Sequence, residues 1–287
     1  MAPRFSAHSQ ISLRPGRFLG LQLPCFGVFS QFNLNRLSQM DHRDPKKLLQ
    51  NRTLLVTAAA TRTGGAIARH CLELGARVFL NYLTNQEGAL KLVEEFGPQR
   101  AIALQGDVTD LESVQRIYRE IAQAGFGLDG LINVVGDYHE APVMETSLED
   151  YHKVLRNNLD SVFLMCKGAF PLLKESPAPR VVNFAYAKGD RVTSAKAWAY
   201  HIAKMGVISL SRTLAKEWGP DKISVNVISP GTLFNSIVME SPAPEAYIPQ
   251  GRFGEYADLW PVLEMVLAQG SEYLTGSNLV LSGGYNV

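Results

Sequence analysis

Seven short apolar runs punctuate the chain: Leu54–Val56, Val78–Leu80, Ala101–Leu104, Leu131–Val135, Val181–Phe184, Val225–Ile228 and Leu279–Leu281. Each is continuous rather than alternating, which is the pattern of a strand covered on both faces. Between them apolar residues recur at helical spacing, as in Ile67/Cys71/Leu74, Ala89/Val93/Phe96, Val114/Ile117/Ile121 and Ala203/Val207/Leu210/Leu214/Trp218. Gly75, Gly97, Gly125 and Gly219 stand where these helices should end. Strands alternating with helices predict parallel pairing through right-handed crossovers, and hence an α/β fold with a doubly wound, seven-stranded parallel sheet. No linker, repeat or low-complexity tract divides residues 41–287, which read as one domain. Ligands of such a sheet bind beyond the carboxyl ends of its strands, so the chemistry is expected just after each run.

Composition narrows the choice of partner. The net charge of the 287 residues is +1, but residues 1–40 hold Arg4, Arg14, Arg17 and Arg36 and no acid, so the remainder carries 24 basic against 27 acidic residues. With no basic block or stripe in that remainder, a small molecule is expected as partner and nucleic acid is not. Cys25, Cys71 and Cys166 are too few and too scattered for a disulfide framework or a zinc site, which suits a reducing, cytoplasmic setting without a bound metal. Residues 1–40, with the apolar stretch Phe18–Phe29 broken by Pro24, read as a disordered extension, an organelle-targeting peptide or sequence preceding a start at Met40. That stretch is too short to span a bilayer, and no membrane partner is expected.

Candidate chemistry follows the runs in turn. The first leads into Thr57–Ala68, a strand-to-helix turn of the kind that seats a pyrophosphate on a helix N-terminus, with Thr57, Arg62, Thr63 and Gly64 in it. A guanidinium there can pair with a phosphate through two parallel bonds. Asn81-Tyr82-Leu83-Thr84-Asn85 follows the second run, with Thr84 and Asn85 as donors and no acid to repel a further phosphate. Asp107-Val108 follows the third, where the Asp also fits as the cap of a helix beginning near Leu111. Asn133 and Gly136 follow the fourth and Pro230-Gly231 the sixth. Tyr200 and Lys204 are spaced i, i+4 and share a helical face, whereas His201 points about 100° away and is given no role. An ammonium beside a phenol lowers the phenol pKa toward the working range. Asn158 lies inside a helical stretch, where its low propensity implies another purpose.

In their order and spacing these segments resemble the short-chain dehydrogenase/reductase family over about residues 52–287, in particular its 3-oxoacyl-ACP reductases and, through Arg62, its pteridine reductases. The match is divergent. Against the pattern T-G-x-x-x-G-x-G, Ala58 replaces the first glycine and Arg62 the second, while Gly64 keeps the third; Asn133-Val-Val-Gly136 is similar to N-N-A-G, and Thr275-Gly276 and Ser282-Gly283-Gly284 to the closing T-G and D-G-G. The resemblance implies a Rossmann-type fold, assembly as a tetramer or dimer, and NADPH held by Thr57, Arg62, Thr63, Gly64, Tyr82, Thr84, Asn85, Asp107, Val108, Asn133, Gly136, Lys204, Pro230 and Gly231. Tyr82 occupies the place of a carboxylate in NAD-preferring relatives, and Leu83 that of a basic residue in many NADP-preferring ones.

The same resemblance implies Tyr200 as proton donor to a carbonyl oxygen, Lys204 on the nicotinamide ribose, and Asn158 holding a water that links Lys204 to solvent. The family's serine, thirteen positions before the tyrosine, is absent. Ala187 stands there, and Tyr186 is the only hydroxyl between Asn183 and Lys188, either as a replacement donor or as an aromatic wall. A substrate lid is expected over Thr232–Gly254, whose Phe234, Ile237, Met239, Tyr247 and Ile248 suit an apolar substrate portion. The expected activity is NAD(P)H-dependent reduction of a 3-oxoacyl, pteridine-like or other small ketone substrate. Its alternative, suggested by the missing serine, is a catalytically inactive dinucleotide-binding sensor or scaffold.

Overall fold

Strands form on all seven apolar runs: β1 Thr53–Val56, β2 Arg77–Tyr82, β3 Ala101–Gln105, β4 Gly130–Asn133, β5 Arg180–Phe184, β6 Ser224–Pro230 and β7 Asn278–Leu281. They belong to a computed structural model that describes residues 47–187, 195–234 and 243–285, so residues 1–40 lie outside the described residues. Every pairing is parallel, in the order β3-β2-β1-β4-β5-β6-β7. The strand order reverses between β1 and β4, and sheets of this kind bind ligands beyond the carboxyl ends at such a point.

Successive side chains of a strand face opposite sides, and the core divides accordingly. Leu54, Val56, Val78 and Leu80 pack beneath α1 (Arg62–Glu73), α2 (Gln86–Phe96) and α7 (Trp260–Leu267). Leu55 and Phe79 pack beneath α3 (Leu111–Gln123), α5 (Ser161–Leu173) and α6 (Trp198–Glu217). Three helices therefore cover each face, which is the doubly wound arrangement expected from the continuous apolar runs.

Local departures have local causes. The fourth apolar run continues to Val135, but β4 stops at Asn133 because the amides of Val134 and Val135 donate to the Thr57 hydroxyl, at 2.8 and 3.3 Å, instead of to a neighbouring strand. Gly219 does not supply the left-handed residue after α6. That residue is Lys222 (φ 60°), which closes a short 3-10 turn over Gly219–Asp221. The cap of α3 is Asp110, whose carboxylate accepts from the Ser113 amide at 2.7 Å, and not Asp107. The helix α4 (Leu148–Leu155) runs into α5 through a π turn over Arg156–Asp160. No helix among the described residues is long and apolar enough to cross a membrane.

Candidate active site

At the carboxyl end of β1 the chain turns through Thr57–Thr61 into α1. Ala58 and Arg62 have φ of 53° and 44°, the left-handed region that glycine enters without a steric cost. Two of the three glycines of the family pattern are thus replaced while the backbone conformation they would allow is retained. Gly64 is a different case, since a Cβ there would overlap the Ala58 carbonyl oxygen. The first turn of α1 has neither a side-chain cap nor an acid, so its free amides and the positive end of its dipole face the turn unopposed. Arg62 is exposed, and its side chain has no hydrogen-bond or ion-pair partner among the described residues.

Four expected cofactor contacts are buried among protein groups. The Thr57 hydroxyl is occupied by the Val134 and Val135 amides and fastens the β1 turn to the β4 turn. Asn133 donates to Asn183 at 2.8 Å, and Asn183 to Ser211 at 2.9 Å, so its side chain ties β4, β5 and α6 together. Val108 belongs to the core beneath α3. Tyr82 shares a face of β2 with Val78 and Leu80 and is 6% exposed, because the period of two turns its ring inward. Leu83, 55% exposed, is the residue that β2 presents to solvent at its end, with exposed Thr84 beside it. Asn85 caps α2 by accepting from the Gly88 amide at 3.1 Å and donates to the Ala60 carbonyl at 3.0 Å. Asp107 turns one carboxylate oxygen to the Thr109 amide and hydroxyl at 2.8 and 2.7 Å.

The catalytic candidates converge where β4, β5 and α6 meet. Tyr200 and Lys204 lie side by side on α6, with the Lys204 Nζ 5.6 Å from the centre of the Tyr200 ring. Lys204 is buried and donates to the Phe184 carbonyl, at the end of β5, at 3.1 Å. Asn158 sits in the π turn, fully buried, with its amide donating to Asp137 and Val154 carbonyls at 2.8 and 2.9 Å. Its Oδ1 has no partner. A Cβ on Gly136 would lie 2.8 Å from that oxygen and 3.2 Å from Lys204 Nζ, so the glycine keeps open a space between two polar groups. Asn158, an unexplained helical Asn in sequence, is thus explained by a π turn, a feature frequent at functional sites.

Electrostatics here depart from the expectation. Burial pushes the Tyr200 phenol above its ordinary range instead of the ammonium drawing it down. Burial likewise lowers Lys204 to about 8, so its own charge is already weakened.

Aromatic side chains complete the site. Tyr186 sets an edge toward Tyr200, with ring centres 5.8 Å apart, and stacks on His201 at 5.6 Å. Tyr138 meets Tyr200 edge-on at 5.1 Å and donates to Glu140 at 2.6 Å. Ala187 is buried and its amide donates to the Pro230 carbonyl at 3.1 Å, joining the turns after β5 and β6. Gly231 lies against Ser282, to which a Cβ would approach within 3.0 Å. The segment expected as a lid leaves and returns at one point, where the Phe234 amide donates to the Gly254 carbonyl at 2.8 Å; Ile237 and Met239 lie outside the described residues. Sequence reasoning missed Tyr138, Asp137 and the stacking role of His201, because each acquires its neighbours from another segment.

A family model described as Enoyl-(Acyl carrier protein) reductase matches residues 59–286. D-threitol dehydrogenase of Mycolicibacterium smegmatis is 34% identical over 249 residues, 83% of this chain and 94% of its own. A 3-oxoacyl-[acyl-carrier-protein] reductase of Vibrio cholerae is 26% identical, over 82% of this chain and 98% of its own. A short chain dehydrogenase from Burkholderia cenocepacia, solved in complex with NADP, is similar in structure with a TM-score of 0.77 and 27% identity, covering 84% of this chain and 100% of that one.

Proposed function

The chain belongs to the short-chain dehydrogenase/reductase family and is an oxidoreductase, and from that premise we propose that it reduces a small carbonyl compound with NADPH, Tyr200 giving the proton. The observation that carries this reading is the space bounded by Gly136, Lys204 Nζ and the unpartnered Asn158 Oδ1, beside the Tyr200 phenol. That space would suit the ribose hydroxyls of a nicotinamide nucleotide whose phosphates would be held at the uncapped start of α1. Bound there, the nicotinamide supplies the hydride. The phenol of Tyr200, held protonated through neutral pH by its burial, passes its proton to the carbonyl oxygen as charge develops on it. Lys204 would orient the ribose, and the unpartnered Asn158 Oδ1 would accept from a water linking the site to solvent. Arg62 and Thr84, both exposed, with no acid at positions 82 and 83, support NADPH over NADH. The inactive alternative has no support among relatives that carry oxidoreductase names.

Exposed Phe163 on α5 and Ile202 and Met205 on α6 supply an apolar face for self-association as a dimer or tetramer, which sedimentation would measure. A cytoplasmic setting suits the free, buried Cys71 and Cys166.

The test is NADPH oxidation against a panel of ketones, 3-oxoacyl thioesters and dihydropteridines, with Tyr200→Phe alongside. Turnover by the wild type and a loss of roughly 10³-fold in Tyr200→Phe, at unchanged NADPH affinity, is expected. Near-normal turnover in the variant would overturn the mechanism.

A further inference from the structure

Asp137 follows Gly136 in the turn after β4, and it is tied at several atoms to the helical run that carries Asn158. Its carbonyl accepts from Asn158 Nδ2 at 2.8 Å. One carboxylate oxygen accepts from the Tyr138 amide at 2.9 Å. The other accepts from Asn157 Nδ2 at 3.3 Å and lies 3.8 Å from Lys153 Nζ. Lys153 and Asn157 are spaced i, i+4 along α4 and the π turn, as are their neighbours Val154 and Asn158. Lys153 is exposed, so its ion pair adds little stability, and the hydrogen bonds supply the direction.

These bonds close on a single peptide unit. The Asp137 carbonyl and the Tyr138 amide belong to one planar group, so a carboxylate that holds the amide also fixes where the carbonyl points. That carbonyl takes one hydrogen of Asn158 Nδ2, and the Val154 carbonyl takes the other at 2.9 Å. With both donors used, Asn158 turns its Oδ1 the opposite way. There it faces the space beside Gly136, where a Cβ would lie 2.8 Å from Oδ1 and 3.2 Å from Lys204 Nζ. A reversed amide would set donors against the Lys204 ammonium and leave two carbonyls facing an oxygen. The same peptide also leads into Tyr138, whose ring meets Tyr200 edge-on at 5.1 Å.

We propose that the Asp137 carboxylate is a positioning residue for proton transfer: through the peptide that it shares with Tyr138 it holds the Asn158 amide with Oδ1 toward Lys204. This rests on the carbonyl-reductase reading above, and the experiment keeps the two apart.

Asp137→Ala frees that peptide and is expected to lower kcat roughly tenfold. An Oδ1 turned away from Lys204 no longer favours the ammonium, so the fall in turnover near pH 8 should move about half a pH unit lower. Asp137→Asn keeps an oxygen for the Tyr138 amide, and Asn157 can turn its own amide to meet the new NH2. Its kcat should therefore return to within about threefold of wild type. Asn157→Ala reaches the same clamp from the helix, removing its outer bond while placing a better helix former. It should cost about threefold in kcat without lowering Tm. A role confined to stability would lower Tm in Asn157→Ala and leave the pH profile of Asp137→Ala in place. A role of the charge alone would make Asp137→Asn as poor as Asp137→Ala. Either result, or a kcat within about twofold of wild type in Asp137→Ala, would overturn the clamp while a dead Tyr200→Phe leaves the general reading standing. A wild-type protein that turns over no carbonyl compound overturns both.

Discussion

The turns after β1 and after β5 have each lost what the family pattern places there, and only the first loss is of a kind that backbone conformation can make good. After β1 two glycines are gone, yet Ala58 and Arg62 hold the left-handed conformation regardless. The cost is about 1–2 kcal/mol per residue, and it is borne because the turn is pinned on several sides. The Ala59 amide donates to the Asn81 carbonyl at 2.8 Å, Asn85 donates to Ala60 at 3.0 Å, and the Gly65 amide donates to Thr61 at 3.0 Å. After β5 it is a side-chain hydroxyl that is gone, and no backbone adjustment of Ala187 can create a donor. Around Tyr200 the hydroxyl-bearing neighbours are Tyr186, from the same turn, and Tyr138, from the turn after β4. A conformation can be imposed on an unsuitable residue by its surroundings, whereas a proton donor must be brought in.

The largest effect that bears on this comparison is expected at Lys204, where chemistry and stability oppose each other. Its pKa falls from lysine's ordinary 10.5 to about 8 on burial, so between those values the unfolded chain binds the proton and the folded one does not. The penalty is therefore fully present below pH about 8, is relieved as pH rises toward 10.5, and is on the order of 3 kcal/mol. Lys204→Met should lose roughly 10³-fold in kcat yet raise Tm at pH 7 by roughly 5 °C. A lower Tm would show that the bond to the Phe184 carbonyl outweighs desolvation. Wild-type turnover should decline as pH rises through about 8, and Lys204→Arg should move that decline to higher pH.

Gly64→Ala asks how far the β1 turn can be forced. The added Cβ would overlap backbone, not a flexible side chain, and denaturant titration should show a loss of about 3 kcal/mol. A loss below about 1 kcal/mol would mean that the turn yields more readily than its hydrogen bonds imply. Leu83→Asp places a carboxylate at the exposed end of β2 and should move the ratio of NADPH to NADH affinity by roughly tenfold toward NADH, about 1.4 kcal/mol. An unchanged ratio would place the recognition of the 2′-phosphate elsewhere. Ala58→Gly is the smallest and cleanest probe. It should add about 1 kcal/mol of stability and leave kcat untouched, since it relieves the backbone without altering its course.

The layer architecture was legible along the chain because strand burial on two faces and helix burial on one leave different periods in the apolar residues. All seven strands, the bounds of α3 at Leu111 and the shared face of Tyr200 and Lys204 follow from those periods. Tyr82 was legible too, for its spacing of two and four from Leu80 and Val78 marks an inward residue, yet its place in the family pattern suggested a contact with cofactor. The turn after β1, where we propose the cofactor phosphates bind, could be located from a single glycine and a strand-to-helix junction. Its left-handed Ala58 and Arg62 could not, since nothing in an alanine or an arginine announces such a conformation.

Sequence alone thus determined the order of the elements, the strand-to-helix turn after β1, and the pairing of Tyr200 and Lys204 on one helical face, because each depends on residues within a few positions of one another. Tertiary structure alone decided the rest. The π turn that buries Asn158, the inward use of Thr57 and Asn133 as ties between strands, the stacking of His201 on Tyr186, and the arrival of Tyr138 beside Tyr200 all join segments distant in the chain. Such contacts are set by how the layers pack and leave no period to read. The one physical hint they leave behind is a polar or aromatic residue with no local reason to be where it is.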